Sequence, residues 1–330
     1  MNRAITRLLL YGALIVAALL APSLAPDYRA QMAFLWVMII FSLTWDLLGG
    51  QMGYNSFGNI LFFGIGMYAC AVVQRDAGYG YFTGLYVGMG VGAALAVSVA
   101  GLLGSAILGL RGQYFAIGTL GLGIAAGEFA GGWDYIGAGS GMVTPLYPGA
   151  VGGRETFFYY VMFALAAVTF LVLRFLYRGQ FGLAINAIRD DEDKAEAMGI
   201  RTTRCKTTAW SIAAFFLGLT GGPVGNMVGF IDPRDVAFAG STYGVWMVLM
   251  AILGGKGTLW GPVMGAVIFH VMQEFFWTYF LGWQRVALGL LIVVTVVFFP
   301  LGIFGWARER WPELFGHRIE ENPAQPEIQT

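Results

Sequence analysis

Gln273 and Glu274 follow His270 by three and four residues inside an otherwise apolar stretch. This spacing places the three side chains on one face of a helix, where an imidazole and a carboxylate could bind a metal ion. Two such ligands are too few for a stable site, and the His-Glu-x-x-His pattern of zinc enzymes is missing. Hydrogen bonds between neighbouring helices are therefore the favoured interpretation of this cluster.

Residues 254–258, Gly-Gly-Lys-Gly-Thr, contain the residue types of a phosphate-binding loop. The Gly-x-x-x-x-Gly-Lys-Ser/Thr spacing is not met and no soluble strand precedes the segment, so we predict no ATP site in this chain. No polar segment pairs a nucleophile with a base in a pattern above chance. We therefore expect a protein that is not an enzyme and that holds no cofactor or metal of its own.

Single carboxylates at Asp46, Glu128 and Glu274 lie within or at the ends of apolar runs. A charge at the centre of a membrane span costs about 2.5–3.5 kcal/mol on insertion scales, so each carboxylate invites a functional role. One alternative is thus an ion-coupled secondary transporter or facilitator in which one of them titrates; a membrane enzyme is a weaker one. The two cysteines, Cys70 and Cys205, predict plain thiols.

The elements that must position these residues are apolar runs. The chain of 330 residues is 58% hydrophobic and 12% charged, about half the charged fraction of a soluble domain. A bilayer core needs about 20 apolar residues per helix, and ten runs approach that length. They are continuous rather than alternating, which predicts helices. The runs are residues 8–25, 31–48, 56–73, 84–110, 113–130, 156–176, 207–229, 236–254, 259–281 and 285–305.

This pattern predicts an all-α polytopic membrane protein with about ten transmembrane or partly embedded helices. One transmembrane domain covers residues 1–306, and a polar tail covers 307–330. The first run follows Arg3 and Arg7, so it fits either a first span or a cleavable signal peptide. Several runs are rich in glycine, which favours close helix packing or half-helices that line a pathway. The formal net charge of zero gives no reason to expect nucleic acid as a partner.

Lysine and arginine are unevenly divided between alternate connections. With the N-terminus inside, fourteen of the nineteen lie on the cytoplasmic side, and positive residues favour that side. The external connections then hold only Arg29, Arg75, Arg154, Arg234 and Arg285. Both termini and the strongly basic connection at residues 174–206 are therefore predicted to be cytoplasmic.

The connection at residues 174–206 is the only sizeable polar one within the predicted domain. We predict that it contains one short helix over residues 184–200, ended by Gly199, because glycine supplies the left-handed conformation of a helix C-terminus. Ile188, Glu192, Ala195 and Met198 fall at helical spacing, so a partly apolar face could meet a partner. A solvated loop is the alternative interpretation.

Residues 179–190, Gly-Gln-Phe-Gly-Leu-Ala-Ile-Asn-Ala-Ile-Arg-Asp, and residues 195–200, Ala-Glu-Ala-Met-Gly-Ile, carry a specific resemblance. Together they resemble the coupling segment of branched-chain amino acid ABC-importer permeases. Residues 53–59, 112–120 and 253–262 agree with the same family, and the resemblance covers about residues 30–305. It implies a type II ABC-importer-like permease of the bacterial inner membrane.

The resemblance also implies partners and a solute class. In the family, the coupling segment docks on cytoplasmic ATP-binding subunits, a second homologous permease shares the pathway, and an extracytoplasmic binding protein delivers the solute. Members carry branched-chain amino acids, urea, short amides or aromatic acids, and ATP is bound by the partner subunits alone. The implied docking residues are Arg189, Asp190, Asp193, Ala195, Glu196, Ala197, Met198 and Gly199.

Polar positions within the glycine-rich segments are the candidates for lining the pathway. They are Asn55, Ser56, Asn59, Tyr114 and Thr119.

The predicted orientation is tested by labelling a Lys194→Cys variant in which Cys70 and Cys205 are replaced. A membrane-impermeant maleimide should label it in inverted vesicles and not in intact cells, because residues 174–206 are predicted to face the cytoplasm. Arg154→Cys, in a connection predicted to be external, should show the opposite pattern. Labelling of the Lys194→Cys variant from outside intact cells would contradict the orientation.

Overall fold

The computed structural model describes residues 3–280, 282–283, 286, 289–290, 293 and 302–303. Within these residues the chain forms a helical bundle, which confirms the predicted all-α membrane fold. A short antiparallel ribbon pairs β1 (Met142–Val143) with β2 (Phe230–Ile231). The helices are α1 (Arg3–Leu24), α2 (Arg29–Gly49), α3 (Asn59–Asp76), α4 (Tyr81–Ile107), α5 (Gln113–Gly132), α6 (Val151–Arg178), α7 (Gln180–Asp190), α8 (Glu192–Ala197), α9 (Thr202–Val228), α10 (Val245–Gly254) and α11 (Gly261–Tyr279).

Nine of the ten predicted runs contain a helix. The tenth, at 285–305, lies largely outside the described residues, as does the whole tail at 307–330. Within the described part, six stretches are long and apolar enough to cross a bilayer, and α3 and α11 are not among them. The exact number of spans therefore stays a prediction. The six stretches are Pro26–Gly49, Tyr81–Gly104, Gln113–Gly132, Val151–Arg178, Thr202–Val228 and Pro233–Gly254.

The predicted continuous helix at 236–254 is wrong in its first half. Two π-helical turns, Pro233–Ala237 and Gly240–Gly244, precede α10. Asp232 starts the first turn, because its carboxylate accepts hydrogen bonds from the backbone N–H groups of Arg234 (2.8 Å) and Asp235 (2.7 Å). The 10 residues of α10 extend only about 15 Å, half of a hydrocarbon core. This element therefore fits the predicted class of partly embedded helices.

The centre of the bundle is a close crossing of α3, α4 and α9. Gly66, Gly92 and Gly218 meet there without side chains. A methyl group on Gly218 would lie 2.9 Å from the Cα atom of Ala93, and one on Gly92 would lie 2.9 Å from the Cα atom of Gly66. Carbon atoms prefer about 3.5–4.0 Å, so only glycine fits. Here the glycine-rich spans serve close packing, as small residues do between membrane helices.

A reciprocal amide pair also joins α3 to α9. Gln74 Nε2 donates to Asn226 Oδ1 (3.2 Å), and Asn226 Nδ2 donates to Gln74 Oε1 (2.8 Å). Both side chains are buried. Because each amide satisfies the other, two polar groups can be enclosed between apolar helices.

The first helix is fastened to α6 at a proline. Pro22 lies inside α1 and has no N–H, so the carbonyl of Ala18 lacks its usual partner four residues later. The hydroxyl group of Tyr159 donates to this carbonyl at 2.6 Å, and that of Tyr160 donates to the Leu19 carbonyl at 3.0 Å. Tyr159 therefore satisfies the carbonyl that the proline leaves open, and Tyr160 adds a second contact between α6 and α1.

The connections of the bundle gather at its two ends. At one end the α2–α3 loop contacts α8, where the hydroxyl group of Tyr54 donates to Glu192. At the other end Arg75 Nη1 donates to the Tyr135 carbonyl (2.9 Å) and β1 pairs with β2. The two groups match the alternate connections that the charge distribution predicts as cytoplasmic and external. Which end faces the cytoplasm stays a prediction.

The glycine crossing predicts a marked effect of one methyl group. Gly218→Ala should lower the midpoint of thermal unfolding in detergent, because the methyl group must displace the backbone of α4, at a cost of about 1–3 kcal/mol. Gly101→Ala on α4 is the matched control, since nothing lies within 4 Å of the added atom. Its midpoint should be unchanged or slightly higher, because alanine is the better helix former. Equal midpoints for the two variants would contradict the close crossing.

Candidate functional site: a docking segment and the ion network behind it

The polar connection between α6 and α9 folds into α7 and α8, which together with Met198 and Gly199 we call the docking segment. The prediction of one helix over residues 184–200 is wrong at Asp191, whose extended backbone (φ −164°, ψ 108°) separates α7 from α8. The Asp191 carboxylate accepts a hydrogen bond from the backbone N–H of Lys194 (3.0 Å), which is how aspartate caps a helix start. Hydrogen bonds from the side chain and backbone of Lys194 hold the pKa of Asp191 below its usual value.

Gly199 ends α8 as the sequence predicts. Its backbone is left-handed, with φ +87°, a conformation that costs glycine little. The N–H of Gly199 donates to the Glu196 carbonyl (2.9 Å), and the N–H of Ile200 donates to the Ala195 carbonyl (3.1 Å). These are the two bonds of a Schellman motif. They fix the direction of the chain after α8 and leave the Met198 side chain 85% exposed.

The docking segment has a buried and an exposed face. Ile185 and Ile188 of α7 pack into the core, whereas Leu183 and Met198 are exposed apolar side chains. Ala195, one of the predicted docking residues, is buried, so it anchors α8 rather than offering its side chain to a partner. The other predicted docking residues are exposed: Arg189, Asp190, Asp193, Glu196, Ala197, Met198 and Gly199. Their role in docking stays a prediction.

Behind the exposed face lies an ion network that we call the Lys206 network: Lys206, Glu192, Tyr54 and the Leu108 carbonyl. Lys206 is only 3% exposed, and its Nζ atom donates to Glu192 Oε1 (2.6 Å), to the Leu108 carbonyl (2.7 Å) and to the Tyr54 hydroxyl (3.1 Å). Its ammonium also lies 4.7 Å from the centre of the Tyr54 ring. All three N–H bonds of the ammonium are therefore used.

The network keeps Glu192 ionised. Burial acts to raise the pKa of Glu192, but hydrogen bonds from Lys206 and Tyr54 outweigh it, and the pKa lies below its usual value. Burial and the neighbouring Glu192 raise the pKa of Tyr54, which stays a neutral donor. Removing one member of a buried ion pair typically costs about 3–5 kcal/mol. The network therefore holds α8 firmly against α9 and the α2–α3 loop.

The α4–α5 loop contributes a further ion pair. Arg111 Nη2 lies 2.9 Å from Asp193 Oδ1, and Arg111 Nε lies 3.6 Å from Glu192 Oε2. Both contacts join the start of α5 to α8. Because Arg111 and Asp193 are largely exposed, this pair contributes little to stability. Its main effect is to orient α8 relative to the start of α5.

An aromatic cluster continues inward from the network. The ring of Tyr54 packs edge-on against Phe115 of α5, with 5.2 Å between centres. Phe115 contacts Trp210 of α9, and Trp210 contacts Phe62 of α3 at 5.1 Å. One turn after Phe115, Thr119 Oγ1 accepts a hydrogen bond from the backbone N–H of Phe57 (3.1 Å). The α2–α3 loop is thus attached to α5 at two successive turns.

The glycine-rich segment at 254–258 forms the turn from α10 to α11 and is fastened to α2. Asp46 Oδ1 accepts a hydrogen bond from the backbone N–H of Gly257 (2.7 Å), and Gly255 and Gly257 have φ values of +116° and +78°. Thr258 Oγ1 donates to the Gly255 carbonyl and accepts from the Gly261 N–H, both at 3.0 Å. The lysine and threonine that suggest a phosphate loop therefore belong to a structural turn.

Arg189 connects the docking segment to this turn. A methyl group on Gly53 would lie 3.3 Å from its Cγ atom, and one on Gly257 would lie 3.6 Å from its Nη1 atom. The guanidinium also contacts Asp190 at 3.2 Å. Arg189 thus touches both the α2–α3 loop and the α10–α11 turn.

The five pathway candidates do not share one environment. Ser56, Asn59 and Thr119 are fully buried, whereas Asn55 and Tyr114 are exposed. Ser56 Oγ accepts from the Gly58 N–H (3.2 Å), so it serves the local turn. Neither amide atom of Asn59 has a hydrogen-bond partner among the described residues. Their place along a pathway stays a prediction.

The remaining polar candidates occupy separate places. Glu128 forms an exposed ion pair with Arg234 at 2.7 Å. His270 is buried on α11, and Glu274 is half-buried. His270 makes a hydrogen bond with the backbone of Gln31 on α2, a helix-to-helix contact of the expected kind. His270 Nδ1 and Gln273 Oε1 have no hydrogen-bond partner within the described part of the chain. No group of three metal-binding side chains occurs among the described residues.

Sequence reasoning missed the Lys206 network. The available clue was the position of Lys206 in the second turn of an apolar span. A charge there is energetically unfavourable unless it is paired, so the lysine indicates an acidic or other polar partner. Tyr54 and Lys206 lie 152 residues apart, and a single sequence holds no signal that pairs them. Glu192 lies within the predicted docking helix, but its inward direction depends on the break at Asp191.

The Schellman motif at Gly199 yields a prediction about α8. Gly199→Ala should destabilise α8 by about 1 kcal/mol, because a left-handed backbone strains an L-residue with a Cβ atom. Amide hydrogen exchange of residues 192–198 should then become about fivefold faster. Gly199→Asn is the matched control, since asparagine tolerates this conformation, and it should exchange more slowly than the alanine variant. Equal exchange in all three proteins would contradict the motif.

Comparisons with known proteins agree with the resemblance in the docking segment. A family model described as "Branched-chain amino acid transport system / permease component" matches residues 30–298. The high-affinity branched-chain amino acid transport system permease protein LivM of Salmonella typhimurium is 29% identical over 330 residues, covering 90% of this chain and 74% of LivM. LivM of Escherichia coli is 28% identical with the same coverage. LivH of Salmonella typhimurium is 30% identical over 144 residues, 42% of this chain and 45% of LivH. No solved structure matches.

The family model spans most of the chain, including the docking segment, the α10–α11 turn and all the helices from α2 to α11. The relatives are transport permeases, and the described apolar helices fit a multi-pass inner-membrane protein. The chain therefore belongs to the family of permease components of branched-chain amino acid ABC transport systems.

Proposed function

We propose that this chain is one permease subunit of an ATP-driven importer for branched-chain amino acids or a related small solute. The observation that carries the proposal is the docking segment. Leu183 and Met198 are exposed apolar side chains on helices whose opposite face is fixed to the bundle. A loop that only met water would need neither the exposed methionine nor the buried ion pair behind it, which is costly to assemble.

The energy for import would come from ATP-binding subunits on the cytoplasmic side. We predict no nucleotide site in this chain, and cofactors are therefore assigned to the partners alone. Arg189, Asp190, Asp193, Glu196, Ala197, Met198 and Gly199 would form the contact surface, with Ala195 anchoring it from behind. When the ATP-binding subunits close, the docking segment would shift and the spans would expose a path alternately to each side.

Two further partners follow from the relatives. LivM and LivH both carry the name of a branched-chain amino acid transport system permease protein, and this chain is similar to LivM over most of its length and to LivH over less than half. This supports a second homologous permease that shares the pathway. An extracytoplasmic binding protein would deliver the solute, and both termini of this chain would face the cytoplasm.

The test is the complex reconstituted in liposomes from this chain, the second permease, the ATP-binding subunits and the binding protein. It should import leucine, isoleucine or valine with ATP. Met198→Glu should lower both import and co-purification of the ATP-binding subunits about tenfold, because a charge replaces an apolar contact at a buried interface. Competition with urea, short amides and aromatic acids then measures which solute class is carried.

Leu146→Glu is the matched control, because Leu146 is 90% exposed and lies in the connection between α5 and α6 at the opposite end of the bundle. It should leave co-purification of the ATP-binding subunits unchanged. Full co-purification with the Met198→Glu variant would overturn the docking surface. Uptake by this chain alone, driven by an ion gradient, would instead favour the ion-coupled transporter, in which Asp46, Glu128 or Glu274 would titrate.

A further inference from the structure

We infer that Glu192, Tyr54 and Lys206 are positioning residues that make α8 and the beginning of α5 move as one unit. Displacement of the docking segment would then reach α5 directly. This inference rests on the proposed function, because it concerns how a movement caused by the ATP-binding subunits enters the membrane domain. It assigns a role to a buried network that lies behind the docking surface and does not itself meet the partner.

The first step of the connection runs from α8 to the α2–α3 loop. Glu192 is largely enclosed, with 12% of its side chain exposed. One of its oxygen atoms holds Lys206, and the other accepts from the Tyr54 hydroxyl. Tyr54 is itself fixed to α2, since its backbone N–H donates to the Leu48 carbonyl at 2.8 Å. A shift of α8 must therefore move Tyr54 or break a buried, charge-assisted hydrogen bond.

The second step runs from the loop to α5. Tyr54 packs against Phe115, and Phe57 donates its backbone N–H to Thr119 one turn later. Arg111 lies immediately before α5 and pairs with Asp193 of α8 at 2.9 Å. The first two turns of α5 are thus attached to α8 on two sides, by the ion pair and through the tyrosine.

The third step concerns which helix can respond. When the most apolar 18 residues of each of the six described stretches are compared, α5 has the smallest buried share, 28%, against 78% for the stretch that contains α2 and 72% for α9. A helix with few buried contacts moves at the lowest cost in free energy. The network joins the docking segment to the least enclosed span, which also carries two of the pathway candidates, Tyr114 and Thr119.

The decisive variant is Tyr54→Phe in the reconstituted complex. It keeps the ring against Phe115 but removes the hydroxyl that joins Glu192 to the loop and that accepts one hydrogen bond from Lys206. Lys206 keeps Glu192 and the Leu108 carbonyl as acceptors, so the chain should fold. We expect import per ATP hydrolysed to fall about fivefold to tenfold, the effect of losing one coupling hydrogen bond. Co-purification of the ATP-binding subunits should stay normal, as should the rate of ATP hydrolysis.

Glu155→Gln provides the control for general effects of altering a polar side chain, because Glu155 lies in the second turn of α6, at the other end of the bundle. It should leave the ratio of import to hydrolysis unchanged. A Tyr54→Phe variant with an unchanged ratio would show that the network is only structural and would overturn the inference. Failure of the unaltered chain to bind the ATP-binding subunits would instead count against the proposed function.

A second measurement follows α5 itself. Gln113, exposed at the first position of α5, is replaced by cysteine in a chain without Cys70 and Cys205, and its maleimide reaction rate is measured with and without ATP. We expect ATP to change the rate in the otherwise unaltered complex, and this change to become smaller with Tyr54→Phe, because only the exposed Arg111–Asp193 pair then joins α8 to α5. A rate that does not respond to ATP, or a response of unchanged size with Tyr54→Phe, would overturn the inference.

Discussion

The ammonium group of Lys206 lies inside the protein near the start of an apolar helix, where each of its three N–H bonds needs an acceptor. The acceptors come from Glu192, Tyr54 and the Leu108 carbonyl, which belong to three different segments. Leu108 and Tyr54 lie 98 and 152 residues from the lysine in the sequence. The lysine is satisfied only when all three segments are in place. The hydrogen-bonding requirement of this buried charge therefore fixes the position of α8. The position of α8 in turn determines which face of the docking segment is exposed.

The apolar periodicity of the sequence predicted most of the fold because hydrocarbon imposes a simple rule: the backbone must satisfy itself within each segment. It failed between residues 236 and 244, where the structure has two π-helical turns, the first of which begins at Pro233, instead of a continuous helix. That segment is apolar enough to pass for a span, but the aspartate and proline at its start and the glycines at 240 and 244 favour irregular turns. Stacking of Phe238 on Tyr68, at 6.1 Å between ring centres, then holds the irregular segment against α3, and hydropathy does not detect such packing.

The candidate site was predictable where it depends on local rules. Gly199 could be identified as a helix end because its left-handed backbone is a property of one residue. The break at Asp191 was missed, although an aspartate three residues before a helical N–H is a local signal for a cap; the continuous charged run concealed it. The inward face of Ala195 and the partners of Lys206 were not predictable, because they depend on tertiary contacts. Leu108 and Tyr54 lie 98 and 152 residues from Lys206, and a single sequence does not show which distant residues meet.

Two kinds of contact hold the described helices together, and they occur in different parts of the bundle. In the middle of the bundle, α3, α4 and α9 are joined by contacts of glycine with backbone and by the Gln74–Asn226 pair. Close packing of this kind leaves little room for gradual deformation. At the end that carries the docking segment, the fastening is ionic and aromatic, and it reaches α5 rather than this group of three helices alone. The docking segment is therefore joined to a stiff group of helices through Lys206 of α9 and to a weakly enclosed helix through Tyr54 and Arg111. If the ATP-binding subunits displace α8 as we propose, the stiff group would resist and the displacement would appear mainly in α5.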